Sequence, residues 1–259
     1  MSAPPRSADV VAAAEGVTKR YPPDVTALLE VSFTVALGEF VAVLGPSGAG
    51  KTTLFRCLTG LTQPDSGSVR IDGHDVGSGG RALQRGRRAV ALIFQQFNLI
   101  RRLTALENVL VGRLADVPTW RVLTRQFTRA DRQRALGCLD TVGLLDKAGT
   151  RADQLSGGQQ QRVAIARALA QHAKIILADE PVASLDPESS ATVLESLRSA
   201  VATGVAVVAS LHQVHLARTY ADRILALRGG RLVADAPTAR LDVRSIEQIY
   251  ERAAGRKGA

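Results

Sequence analysis

Aromatic side chains are scarce in this 259-residue sequence, where one Trp, three Tyr and six Phe make up 4% of the chain. The apolar share, 46%, rests mainly on small aliphatic residues, and with 22% charged residues it permits a sizeable globular core. Cysteine is nearly missing too. Cys57 and Cys138 lie far apart and fit no metal-binding spacing, which argues against a disulfide framework or a zinc site and for two reduced thiols. Long apolar runs are lacking as well: residues 89–94 and 204–210 fall far short of the roughly 18 residues a spanning helix needs. Any membrane role is therefore expected to come through a partner. Residues 1–9, rich in Pro, Ser and Ala, have no apolar leader core and are expected to be a disordered lead-in. The net charge of +9 is mostly scattered arginine, as in Arg81, Arg85, Arg87 and Arg88, and is not gathered into a tail. Charge alone selects no partner.

What is present is punctuation. Residues 40–44 form a short apolar run between Gly38 and Gly45, the pattern of a strand buried on both faces. Gly45, Pro46, Ser47, Gly48, Ala49, Gly50, Lys51 and Thr52 follow, matching G-x-x-x-x-G-K-[ST] between that strand and a helix expected over 51–61, with Leu54, Cys57, Leu58 and Leu61 on one face. The glycines let backbone N–H groups converge on phosphate oxygens at a helix N-terminus, whose dipole also favours anions. Lys51 is expected to reach the β- and γ-phosphates, Thr52 to ligate Mg²⁺, and Thr53 to complete the loop's ligand set. The pattern points to a nucleoside triphosphate.

Two carboxylates close another apolar strand, in Ile175-Ile-Leu-Ala-Asp179-Glu180-Pro181. Asp179 suits an Mg²⁺-holding acid, and Glu180 is placed to polarise an attacking water. Further on, Leu155-Ser156-Gly157-Gly158-Gln159 precedes a helix over 160–170; Ser156 and Gln159 form a capping box, and the same exposed N–H groups make a second anion site.

Strand signals at 40–44, 89–94, 175–178, 205–208 and 224–227 alternate with helical segments, implying a largely parallel sheet covered on both faces. Between 96 and 171 helical periodicity takes over, with Thr128-Arg-Ala-Asp131 as a capping box and Leu136, Leu139, Val142 and Leu145 as a buried stripe. The reading is an α/β fold with a parallel core over 10–95 and 172–245 and an inserted helical subdomain over 96–171. A helix near 245–252 and a basic tail, 246–259, follow it.

With these motifs in this order, the sequence resembles the ABC ATPase family over residues 10–240, since LSGGQ is that family's signature. The resemblance implies a P-loop ATPase core with an N-terminal antiparallel β-subdomain and ATP and Mg²⁺ as cofactors. It also implies a role for Tyr21 in stacking on adenine, for Gln95 in contacting Mg²⁺ and the attacking water, and for His212 as a switch residue at the γ-phosphate. Ser184-Leu185-Asp186 resembles the loop that completes the site across a dimer. Partners implied are a second copy docked head to tail, two membrane permease subunits and, indirectly, an extracytoplasmic binding protein, at the cytoplasmic face of the cell membrane. No nucleic-acid partner is expected, because no sustained heptads separate Lys51 from Ser156 as they do in DNA-acting relatives. Pro118-Thr119-Trp120-Arg121, the approach Arg151-Ala-Asp-Gln-Leu155 and Ser210-Leu-His-Gln-Val214 are similar to the phosphonate-import subfamily, whereas His215 stands where that subfamily is expected to carry an acid. An ATPase for another cargo, such as an amino-acid importer or a lipoprotein-releasing exporter, is the alternative.

Overall fold

Side-chain alternation decides how the central strands pack, because successive residues of a strand face opposite sides of its sheet. In the computed structural model, which describes residues 10–94, 97–114 and 127–241, Phe40, Ala42 and Leu44 of strand β3 (Phe40–Leu44) enter one apolar cluster. Val41 and Val43 enter the other. The same division holds in β7 (Ile175–Ala178) and β8 (Ala206–Ser210), all of whose residues are buried. With β6 (Val90–Ile93), β9 (Arg223–Arg228) and β10 (Arg231–Pro237) they form a six-stranded sheet in the order β10-β9-β3-β8-β7-β6. All its pairings are parallel except β9 with β10.

A second sheet, β2-β1-β4-β5, is antiparallel and built on the hairpin of β1 (Val10–Tyr21) and β2 (Val25–Ala36). Strand β4 (Ser66–Ile71) pairs with β1, and the two-residue β5 (His74–Asp75) extends it. Helix α1 (Lys51–Leu58) packs between the sheets through Leu54, Phe55, Cys57 and Leu58. The helix is shorter than its sequence suggests. The Thr59 hydroxyl donates to the Phe55 and Arg56 carbonyls, Gly60 turns away at φ 65°, and Leu61 is left exposed.

Helix α2 (Gly80–Ala89) takes up the arginines of residues 81–88 and delivers the chain into β6. On the opposite side of the large sheet lie α3 (Ala105–Val111), α4 (Arg129–Thr141) and α5 (Gly157–Ala170), with α6 (Pro187–Ala202) beside α5. The buried stripe of α4 runs through Ala135, Leu139 and Val142; Leu145 lies in the following 3₁₀ turn and is exposed. Helix α7 (Val214–Tyr220) carries the exposed His215. Gln95, Trp120 and the expected C-terminal helix at 245–252 lie outside the described residues. No helix among the described residues is long and apolar enough to cross a membrane.

Candidate functional site

The C-terminal ends of β3, β7 and β8 gather the candidate residues, as parallel sheets place sites beyond their strands' carboxyl ends. β3 runs into Gly45, whose backbone holds φ 155° and where a Cβ would strike the Leu227 carbonyl at the end of β9. Gly50, at φ 105°, has the Ala27 carbonyl in the same position. Between them Ala49 N–H donates to the Pro46 carbonyl (3.1 Å), and Ser47 and Gly48 form the exposed crest. The loop is thus wedged between β9 and β2. Lys51 opens α1 with its side chain buried and its Nζ donating to the carbonyls of Gly45 (2.7 Å) and Pro46 (3.3 Å). Burial lowers the Lys51 pKa, and the charges of Glu180 and Asp179 oppose that shift, which brings both acids into the lysine's field. Thr52 is exposed in the first turn of α1 and Thr53 is half-buried behind it.

At the end of β7, Asp179 N–H donates to the Ile93 carbonyl (2.9 Å), tying the acid to β6. Glu180 takes φ 50°, a left-handed conformation uncommon for a side chain of its size. Its carboxylate Oε1 lies 2.6 Å from His212 Nε2. Between the two acids stands a residue to which the sequence motifs assign no role: the Ser210 hydroxyl donates to Asp179 Oδ1 (2.8 Å) and accepts from the Glu180 N–H (2.7 Å). The one signal for it is a hydroxyl closing an otherwise apolar, fully buried strand.

Ser156 caps α5: its Oγ accepts from Gln159 N–H (3.3 Å) while Gln159 Oε1 accepts from Ser156 N–H (3.0 Å). Gly157 and Gly158 face the 184–189 segment closely. A Cβ on Gly157 would come within 3.2 Å of Leu185, and one on Gly158 within 3.0 Å of Ser189. Asp186 caps α6 by accepting from Ser189 N–H (2.8 Å), and that bond holds its carboxyl below the usual range. The signature turn and the 184–186 loop therefore form one packed edge. Tyr21 stands apart, in a cleft of about 510 Å³ walled by Arg20, Pro22, Pro23, Asp24 and Thr26. Lys19 Nζ lies 5.7 Å from the Tyr21 ring centre and 2.7 Å from Asp65 Oδ1.

An Mg²⁺ ion suits this donor set. The Thr52 hydroxyl and the Asp179 carboxylate offer hard oxygen donors, and no cluster of three His, Cys, Asp or Glu stands among the described residues. Mg²⁺ characteristically binds this way, through one or two protein oxygens with phosphate and water completing the octahedron.

A glycine-rich loop with a buried lysine, facing two strand-end carboxylates, in a chain that also carries a capped signature helix, defines an ATP-binding cassette. The family model described as ABC transporter matches residues 28–183, and the chain belongs to that family. The chain is 49% identical over 250 residues to the hypophosphite import ATP-binding protein HtxD of Stutzerimonas stutzeri, covering 96% of this chain and 73% of that one. It is 50% identical over 239 residues to the phosphonates import ATP-binding protein PhnC of Thiobacillus denitrificans, covering 92% of each. Among solved structures, the ATP-binding cassette MJ0796, dimeric and bound to ADP and Pi in a post-hydrolysis state, shares 36% identity at a TM-score of 0.75. That match covers 88% of this chain and 98% of that one.

Proposed function

We propose that this chain is the ATP-hydrolysing subunit of an importer for phosphonates or related phosphorus oxyanions. The observation that carries the motor assignment is the joined arrangement of Lys51, Asp179, Glu180 and His212 at neighbouring strand ends. Backbone N–H groups of Ser47, Gly48, Gly50 and Lys51, with the Lys51 ammonium, hold the phosphates, and Tyr21 stacks on the adenine. Thr52, Asp179 and Gln95 would hold Mg²⁺, which would supply positive charge to offset the charge on the phosphate oxygens. Glu180 accepts a proton from the attacking water as its oxygen bonds to the γ-phosphorus and ADP departs. His212 holds the Glu180 carboxylate through Oε1, and it turns to the γ-phosphate as the site closes.

Each site is completed by a second copy docked head to tail, whose Ser156, Gly157, Gly158 and Gln159 offer the N-terminus of α5 to the same γ-phosphate and whose Asp186 loop lines the seam. The dimeric, ADP- and Pi-bound cassette at 36% identity supports this arrangement. Because ATP is bound between copies only in the closed pair, its binding favours closure and its hydrolysis releases it, the population-shift logic of a selective ligand. Two membrane permease subunits take up that motion at the cytoplasmic face of the membrane, and an extracytoplasmic binding protein delivers the cargo.

The cargo reading is supported by relatives at 49% and 50% identity whose names specify hypophosphite and phosphonate import. It is tested by reconstituting the chain with its permease in proteoliposomes and adding binding protein loaded with methylphosphonate, phosphite, hypophosphite or an amino acid. Stimulation of ATP turnover by the phosphorus oxyanions alone is expected. Stimulation only by another ligand class would overturn the cargo and leave the motor intact.

A further inference from the structure

Ser210 is fully buried at the end of β8, beside Val43 of β3 and therefore two residues from the root of the phosphate loop. Its neighbour Ala209 pairs with Ala178, the last residue of β7 before the acids. A serine hydroxyl can donate one hydrogen bond while accepting others. Here both capacities are used on consecutive residues: the O–H goes to Asp179 Oδ1 (2.8 Å) and the oxygen receives the Glu180 N–H (2.7 Å). With Oδ1 engaged, rotation of the Asp179 carboxylate is restrained. The Glu180 N–H bond pins the backbone at the residue held at φ 50°, and with it the direction in which the Glu180 carboxylate leaves the strand. Two residues further on the same strand exit, His212 holds that carboxylate from the other end.

We infer that Ser210 is a positioning residue that locks the cation-holding Asp179 and the water-polarising Glu180 into one rigid unit. This inference rests on the proposed roles of those two acids. Removing the hydroxyl leaves the Glu180 N–H without its acceptor and lets the Asp179 carboxylate rotate, so the loss falls on cation binding and on turnover. The phosphate loop, whose Lys51–Gly45, Lys51–Pro46 and Ala49–Pro46 bonds do not involve Ser210, keeps its hold on the nucleotide.

The test compares the full-length chain with its Ser210→Ala variant in three measurements. These are ATP affinity in EDTA by equilibrium dialysis, Mn²⁺ affinity of the complex with a non-hydrolysable ATP analogue by electron paramagnetic resonance, and kcat with Mg²⁺. Losing a hydrogen bond to a charged group predicts about tenfold weaker Mn²⁺ binding and a kcat lower by about tenfold or more. Metal-free ATP affinity is expected to stay within about twofold, because the loop's own donors are unchanged. A merely structural serine would lower the melting temperature or the metal-free affinity and leave Mn²⁺ binding as it was, and that result overturns the inference. Should the alanine variant not fold, Ser210→Cys, with similar volume and a weak S–H donor, takes its place in the same comparison. If the unaltered chain neither binds cation with nucleotide nor hydrolyses ATP, the proposed function itself fails. If it does both and the folded variant matches it, only the role of Ser210 falls.

Discussion

A Cβ at position 45 would point into the Leu227 carbonyl and lie 3.0 Å from the Ala49 Cβ, at a φ of 155° that L side chains rarely adopt. Position 48 shares the positive φ, at 79°, but has open space where the Cβ would go. The two glycines of one motif thus carry different constraints. Gly45→Ala is expected to destabilise the fold by about 3 kcal/mol, combining strain with overpacking, and to abolish ATP binding. Gly48→Ala is expected to cost about 1 kcal/mol, since only the backbone conformation is opposed. Urea titration of both variants checks this, and equal costs would contradict it. The motif's spacing made all these positions readable in the sequence as a loop, but not which strand each glycine presses against. Ser210 shows the same limit more sharply. Its partners lie 31 and 30 residues away and meet it only because β7 and β8 are neighbours in the sheet.

Helix α4 shows what a capping box contributes when a third residue joins it. Thr128 Oγ1 accepts from Asp131 N–H (3.0 Å) and donates to Asp131 Oδ2 (2.6 Å), while Arg113 reaches Asp131 Oδ1 at 3.4 Å. The Thr128 hydroxyl foremost, then its backbone N–H and the Arg113 side chain, hold the Asp131 carboxyl below its ordinary range against the opposing effect of burial. A depressed folded-state pKa gives stability that is complete above the unfolded value, near about 3.9, and is lost as pH falls through the lower folded value. Asp131→Asn is therefore expected to cost about 1 kcal/mol at neutral pH, with the gap closing below about pH 4. A gap independent of pH would contradict this account. The box itself was legible, because its residues are three apart; Arg113 was not, because it joins from another part of the chain. The same distinction covers the larger elements. Continuous apolar runs announced β3, β7 and β8, whereas α2 was hidden by its arginines and β10 by the alternating exposure of an edge strand.

For the whole molecule, the proposed function makes the site one that a single chain holds only in parts. The phosphate loop and the acids lie at the strand ends, and the signature turn packs against the 184–189 segment through Leu185 and Ser189. In the proposed head-to-tail pair, these groups bear on one nucleotide only when two copies face each other. The most direct test is therefore the Glu180→Gln chain, mixed with ATP and Mg²⁺ and followed by sedimentation velocity beside a phosphate-release assay. The account predicts that ATP binds, that turnover falls by about 100-fold or more for loss of the general base, and that the chain shifts from monomer to a dimer that EDTA dissolves. Hydrolysis at the unaltered rate, or a variant that stays monomeric while saturated with ATP, would contradict it.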